Sequence, residues 1–245
     1  MSLLVVSLDM VGVMRESGYR KEPDPVQAAV FAELAGAGGI SVMIKRDRKY
    51  LRDRDLYILK QIVKTKLNIS MPPTEDIIER AIEVKPNSVT IVADLANSDS
   101  PPATVDFYSG TVDFSTIANR IKSVGVQVHY FIEPEVEGVK GALKAGADGV
   151  VLNCSAYTEA PSIDEARTEL DKIDRAAQAA NKQNLTVIAG RGLHYSNIQP
   201  LVELGNIREF IVGRAICTRA LFQGIDRAVH EMAGIIDNSP RAIVG

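Results

Sequence analysis

The sequence predicts an α/β fold, a single (β/α)8 barrel with extra helices. Eight short apolar runs rich in Val and Ile recur along its 245 residues. Most are followed by a longer segment of helical spacing. Near-continuous apolar strands alternating with amphipathic helices indicate a parallel sheet covered by helices. Eight such units in about 250 residues match this barrel in size and count. The barrel is expected over residues 1–235, with residues 236–245 as a loose C-terminal tail.

In order, the strands read as Leu3–Leu8, Ile40–Ile44, Leu67–Ser70, Ser88–Val92, Val126–Phe131, Gly149–Leu152, Leu185–Ala189 and Glu209–Val212. Among the helices, "DPVQAAVFAELAGAGG" is the clearest. Asp24 can cap, Pro25 takes the first helical position, and glycine ends the helix. "PTEDIIERAIEV", "FSTIANRIKSVG", "EPEVEGVKGALKAGADG" and "SIDEARTELDKIDRAAQAANKQ" follow the same pattern. The stretches Ala32–Ile44 and Gly141–Asn153 echo each other as helix, Ala-Gly-Ala-x-Gly, strand. Half-barrel repetition and the ordinary taste of helix-to-strand turns for glycine explain the echo equally well. An open doubly wound sheet is the fold alternative. It wants a glycine-rich first loop, and "DMVGVMRESGYRKEPD" lacks the dinucleotide fingerprint.

Composition narrows the function. The chain is 46% hydrophobic and 24% charged, with a net charge of −3. That balance argues against a nucleic-acid backbone binder. No apolar run reaches membrane-spanning length. "MSLLVVSLDM" is too short for a signal peptide and Asp9 interrupts it. Cys154 and Cys217, far apart, read as reduced thiols, so a cytoplasmic location is expected. His129, His194 and His230 are scattered, with no paired-cysteine or His-x-x-x-His pattern, and neither metal nor cofactor is expected.

Functional residues of such barrels lie just beyond the C-terminal ends of strands. Taken in order, those ends supply Ser7, Asp9 and Met10; Met43 and then Lys45; Ser70 and Met71; Asp94; Glu133; Asn153 and Cys154; Gly190-Arg191-Gly192; and Gly213-Arg214. The last two loops suggest a phosphate site, because barrels often bind phosphate between the loops after strands seven and eight. Glycines bring backbone amides close, and arginine adds a forked, permanent charge. The plainer alternative is that the glycines turn the chain and the arginines pair with carboxylates. "KRDRKYLRDRDL" reads as a self-paired solvated surface in which Asp53 or Asp55 caps the next helix. Lys45 is the exception, placed to reach a ligand. "LANSDSPPATVDFYSG" reads as a long barrel loop that covers the site.

"SLDMVGVMRESG", "PDPVQAAVFAELAGAGGISVMIKRDRKYLRDRDLYILK", "LNISM", "VKP", "FIEPE", "AGRGLHYSN" and "IVGRAI" together resemble the pyridoxine 5′-phosphate synthase family of the deoxyxylulose-dependent vitamin B6 pathway. The resemblance runs from the first strand to the last helix. It implies a (β/α)8 barrel, a homo-oligomer (octamer or dimer), no metal, and a transferase-type synthase. The substrates it implies are the phosphorylated small molecules 3-amino-2-oxopropyl phosphate and 1-deoxy-D-xylulose 5-phosphate.

The resemblance also implies departures. Where the family carries catalytic His, Glu and His, this chain has Met43, Ser70 and Arg191. Substrate-contacting histidines become Met10, Tyr50 and Arg214; an asparagine becomes Ser7 and an arginine Lys45. Asp9, Gly192 and Gly213 match, Ser100 supplies a hydroxyl in place of threonine, and Asp94 keeps a carboxylate. Methionine cannot move a proton, arginine keeps its own, and serine without a base partner replaces glutamate poorly. Asp9 is the best remaining base. His129 and His194 are candidates for a relocated acid–base group, against a satisfied core histidine and a solvent-exposed loop histidine respectively. Cys154 reads as a buried, inert thiol.

Three functions are therefore expected in descending order. The first is a divergent condensation or elimination on a phosphorylated ligand. The second is a non-catalytic binding or regulatory paralogue. The third is pyridoxine 5′-phosphate synthesis with reassigned residues.

Overall fold

The computed structural model describes residues 2–17, 21–48, 51–94, 101–110 and 112–237. Eight parallel strands pair in chain order: β1 (Leu3–Ser7), β2 (Gly39–Met43), β3 (Leu67–Met71), β4 (Ser88–Ile91), β5 (Gln127–Ile132), β6 (Gly149–Asn153), β7 (Thr186–Gly190) and β8 (Glu209–Val212). Strand β8 pairs with β1, Leu4 opposite Phe210, and closes the barrel. Each strand lies within one residue of its predicted bounds.

The helices are α1 (Asp9–Ser17), α2 (Pro25–Leu34), α3 (Asp53–Ile62), α4 (Glu75–Val84), α5 (Phe114–Lys122), α6 (Val136–Lys144), α7 (Ser155–Thr158), α8 (Ile163–Lys182), α9 (Ile198–Glu203), α10 (Arg214–Gln223) and α11 (Ile225–Asp237). Asp24 caps α2 by accepting the Val26 N–H at 2.9 Å, with Pro25 in the first turn. Ser162 does the same for α8 through Glu165 N. Asp113 caps α5, and the N–H and hydroxyl donors around it hold its carboxyl down at about 2. Gly224, at φ 82°, separates α10 from α11. Helix α11 runs two residues past the expected barrel boundary at residue 235, and residues 238–245 lie outside the described residues.

The internal echo is a shared turn. Gly36 and Gly146 both have positive φ, and in each the following alanine N–H reaches back to an alanine carbonyl, Ala37 to Ala32 and Ala147 to Ala142. This is the helix-ending arrangement that glycine permits without strain.

Alternation along the strands divides the core. Outward residues such as Val6, Val42, Ile69, Val150 and Phe210 join the helices in one continuous apolar cluster. Inward residues split into two sectors. Ser41, Asn68, Ser88 and Thr90 form a buried polar column on β2–β4. Asn68 donates to Ser41 Oγ and accepts from the Ser88 and Thr90 hydroxyls at 2.9 and 3.0 Å, which satisfies these buried groups. Val92, Phe131, Val151 and Ile188 form a smaller apolar plug, with Met43 and Ile211 packed against it.

Candidate functional site at the C-terminal mouth

Asp9 begins α1 directly above β1. Its Oδ2 accepts the Ser7 hydroxyl at 2.9 Å and its Oδ1 accepts the Met43 N–H at 2.7 Å. Burial pushes the Asp9 carboxyl above its ordinary range, opposed by these two hydrogen bonds and by the charge of nearby Lys45. A carboxyl so placed keeps its proton more readily than an exposed one. Beside it, Gly213 approaches Ser7 so closely that a Cβ would lie 2.9 Å from Ser7 Cβ. Glycine is required there for the β8 loop to lie against β1.

Met43, the last residue of β2, lies in register with Ser70, one residue before the end of β3. Met43 packs against the apolar plug, and among the described residues the Ser70 hydroxyl has one hydrogen-bond partner, the Asn68 amide at 3.5 Å. Neither supplies a proton-transfer group to the mouth. Met10 is half-buried on α1.

The loops after β7 and β8 open side by side, since Gly190 pairs with Ile211. Arg191 has φ 78° and Gly192 φ 69°. A Cβ on Gly192 would lie 2.0 Å from Thr158 Oγ1, so α7 leaves room only for glycine. Arg191 has no such freedom. A long side chain at positive φ is uncommon and strained, and such strain concentrates at functional sites. Arg214 starts α10, whose first-turn N–H groups have no partner within the helix. Neither Arg191 nor Arg214 has an ion-pair partner among the described residues. Among the described residues, the alternative in which these arginines pair with carboxylates is not found.

The charged run after β2 pairs mostly with other segments rather than with itself; among the described residues, only Arg48–Asp53 is an ion pair inside it. Arg46 holds Asp94 through two hydrogen bonds across the mouth, and Arg48 bonds Asp53 and Asp76. Asp55, buried, accepts the Arg52 N–H and forms a buried ion pair with Arg15 at 2.7 Å. Lys45 is half-buried on the Asp9 side. Tyr50 and Ser100 lie outside the described residues. So does the first part of the long loop after β4; residues 101–110 lie against β5, with Val105 N donating to Phe131 O.

Glu133, one of the strand-end residues, gains a setting that the sequence did not show. Glu133, just past β5, accepts from Asn153 Nδ2 at 2.9 Å and from Thr104 Oγ1 at 3.0 Å. Its position at a strand end was the available signal. What marks it out is the pair of donors, brought from β6 and from a loop distant in sequence.

The remaining candidates separate. His194 is exposed, and its Nδ1 accepts the Ser196 N–H at 3.2 Å, a loop role. His129 faces the barrel interior near the opposite end from the mouth, between Thr90 and Gly149. It is buried, but not the satisfied core histidine expected, because neither ring nitrogen has a hydrogen-bond partner among the described residues. Burial lifts the Cys154 thiol to about 12, which leaves it un-ionised and a poor nucleophile. Among the described residues no group of His, Cys, Asp and Glu could hold a metal ion, and no helix is long and apolar enough to cross a membrane.

Known proteins fit this arrangement. Among solved structures, a thiamine phosphate pyrophosphorylase from Pyrococcus furiosus superposes with TM-score 0.62 at 17% identity, over 96% of this chain and 95% of that one. A structure titled "Native KDPGal structure" gives 0.63 at 12% identity, over 96% and 94%. At such identities the likeness is one of fold alone. Sequence relatives lie much nearer. The protein named pyridoxine 5′-phosphate synthase of Syntrophotalea carbinolica is 39% identical over 96% of this chain and 99% of its own length. Those of Pelobacter propionicus and Geobacter sulfurreducens, with the same name, are each 37% identical over the same shares. Residues 4–238 match the family described as "Pyridoxal phosphate biosynthesis protein PdxJ". With that match over almost its whole length, the chain belongs to the PdxJ family.

Proposed function

We propose that the chain binds a phosphorylated small molecule at the mouth of the barrel. Arg191, Arg214 and the first-turn amides of α10 hold the anion, and Asp9 moves protons. On this reading the reaction is a condensation or elimination simpler than pyridoxine 5′-phosphate synthesis. The observation that carries it is the contrast between two guanidinium groups without an ion-pair partner among the described residues and a mouth whose Met43 and Ser70 transfer no proton. Asp9 and Glu133 are the carboxylates left for acid–base work.

The names of the relatives favour a second reading better than this one: ordinary pyridoxine 5′-phosphate synthesis, with the acid–base roles moved to Asp9 or Glu133. A non-catalytic, ligand-binding paralogue is the third reading. One assay separates them. The purified chain is supplied with 3-amino-2-oxopropyl phosphate and 1-deoxy-D-xylulose 5-phosphate, and pyridoxine 5′-phosphate is measured. Product formed at a rate that Asp9→Asn or Glu133→Gln abolishes establishes the second reading and removes the first. No product, with saturable phosphate binding that Arg191→Ala weakens, leaves the first and third. Turnover of any phosphorylated substrate then decides for the first.

A further inference from the structure

At the end of the barrel opposite the mouth lies a recess of about 400 Å3. Small-molecule sites range over about 300–1,000 Å3. His129 lines it from β5, is only 3% exposed, and has no hydrogen-bond partner on Nδ1 or Nε2. Buried polar atoms are paired in the great majority of proteins, so two covered ring nitrogens without a partner among the described residues mark this wall of the recess as polar and unmet. The ring's place is fixed by its neighbour. A Cβ at Gly149 would come within 2.9 Å of His129 Cδ2 and 2.7 Å of Thr186 O, so glycine makes the room. Burial holds the imidazole down at about 4, which leaves it neutral at pH 7 with one donor and one acceptor.

The charges around the recess have one dominant sign. Lys60, Lys66 and Lys85 line it against a single carboxylate, Glu209. Lys66 is paired with Glu209. Lys60 and Lys85 have no ion-pair partner among the described residues. Asn68, which forms the inner wall, spends its amide on Ser41, Ser88 and Thr90. An occupant therefore meets two unneutralised ammonium groups and, deeper in, one imidazole.

We propose that this recess is a second binding site, for a small carboxylate or phosphate anion, with Lys60 and Lys85 holding its charge and His129 making the inner hydrogen bond. The apolar plug of Val92, Phe131, Val151 and Ile188 lies toward the mouth, so the two ends of the barrel fill independently. The loops at this end of such barrels serve stability rather than chemistry. The site is therefore one for binding, separate from turnover.

The histidines provide local probes, since the chain has three. His194 and His230 are exposed, and substituting each with alanine assigns their ring signals and leaves that of His129. The full chain is titrated with orthophosphate and, separately, with malonate, while the ring signals are followed by NMR. Saturable movement of the His129 signal in either arm is expected, and the responding arm identifies the anion class. The paired change Lys60→Ala and Lys85→Ala weakens that response by about tenfold, the loss of two partly screened charges. Arg191→Ala leaves it unchanged, which separates this site from the mouth. A His129 signal that stays fixed in both arms overturns the proposal. Movement without saturation marks an adventitious ion only and overturns it too, as does a response that Arg191→Ala abolishes.

Discussion

Asp9 Oδ1 accepts the backbone N–H of Met43 at 2.7 Å, so a carboxylate from the end of β1 is tied to the end of β2. The same carboxylate takes the Ser7 hydroxyl through its other oxygen. Asp9→Ala leaves the Met43 N–H without its partner, and a loss of about 1–3 kcal/mol is expected in urea unfolding.

The protonation of Asp9 has a sign that can be checked. Its folded pKa lies above the ordinary value of 3.8, so the native state binds more protons than the unfolded chain between those two values. Stability from this group falls as pH rises through that window. Asp9→Asn is expected to remove that slope, measured as unfolding free energy against pH relative to the parent chain.

His129 acts in the opposite sense. Its folded pKa of about 4 lies below the ordinary 6.5, so the unfolded chain binds the extra proton in between. Its contribution is complete above pH 6.5 and is lost as pH falls towards 4. At 1.36 kcal/mol per unit the whole loss is roughly 3 kcal/mol. A His129→Asn chain titrated over that range should show a flatter profile.

Arg191 separates strain from binding. Glycine at φ 78° relieves the left-handed cost of a long side chain, so Arg191→Gly is expected to raise stability by about 1 kcal/mol. The same change removes a guanidinium from the mouth, and calorimetric titration with inorganic phosphate should show weaker binding. A variant that is more stable and binds equally well would place Arg191 outside the anion site.

The Arg15–Asp55 pair joins α1 to the start of α3 and is buried on both sides. Arg15→Ala strands the Asp55 carboxylate in the interior. A loss of about 3–5 kcal/mol is expected by chemical denaturation.

The barrel was legible because each strand is buried on both faces and each helix on one. That requirement writes period and composition directly into the chain, from Leu3–Ser7 to Glu209–Val212. The strand-end positions of Asp9, Arg191 and Arg214 followed from the same pattern, whereas the run after β2, expected to pair with itself, pairs mostly with α1, α4 and the loop after β4. Three further features did not follow. Glu133 gained its role from Asn153 and Thr104, and Arg191 its positive φ from the turn into Gly192 against Thr158. In sequence His129, within an apolar strand, reads as a relocated acid–base group or a satisfied core histidine. Only closure of the barrel sets it beside Gly149 and above Lys60 and Lys85, with both nitrogens unmet. Periodicity fixes which side of a strand a residue faces. The partners that meet it there come from segments far along the chain, and tertiary packing alone brings them together.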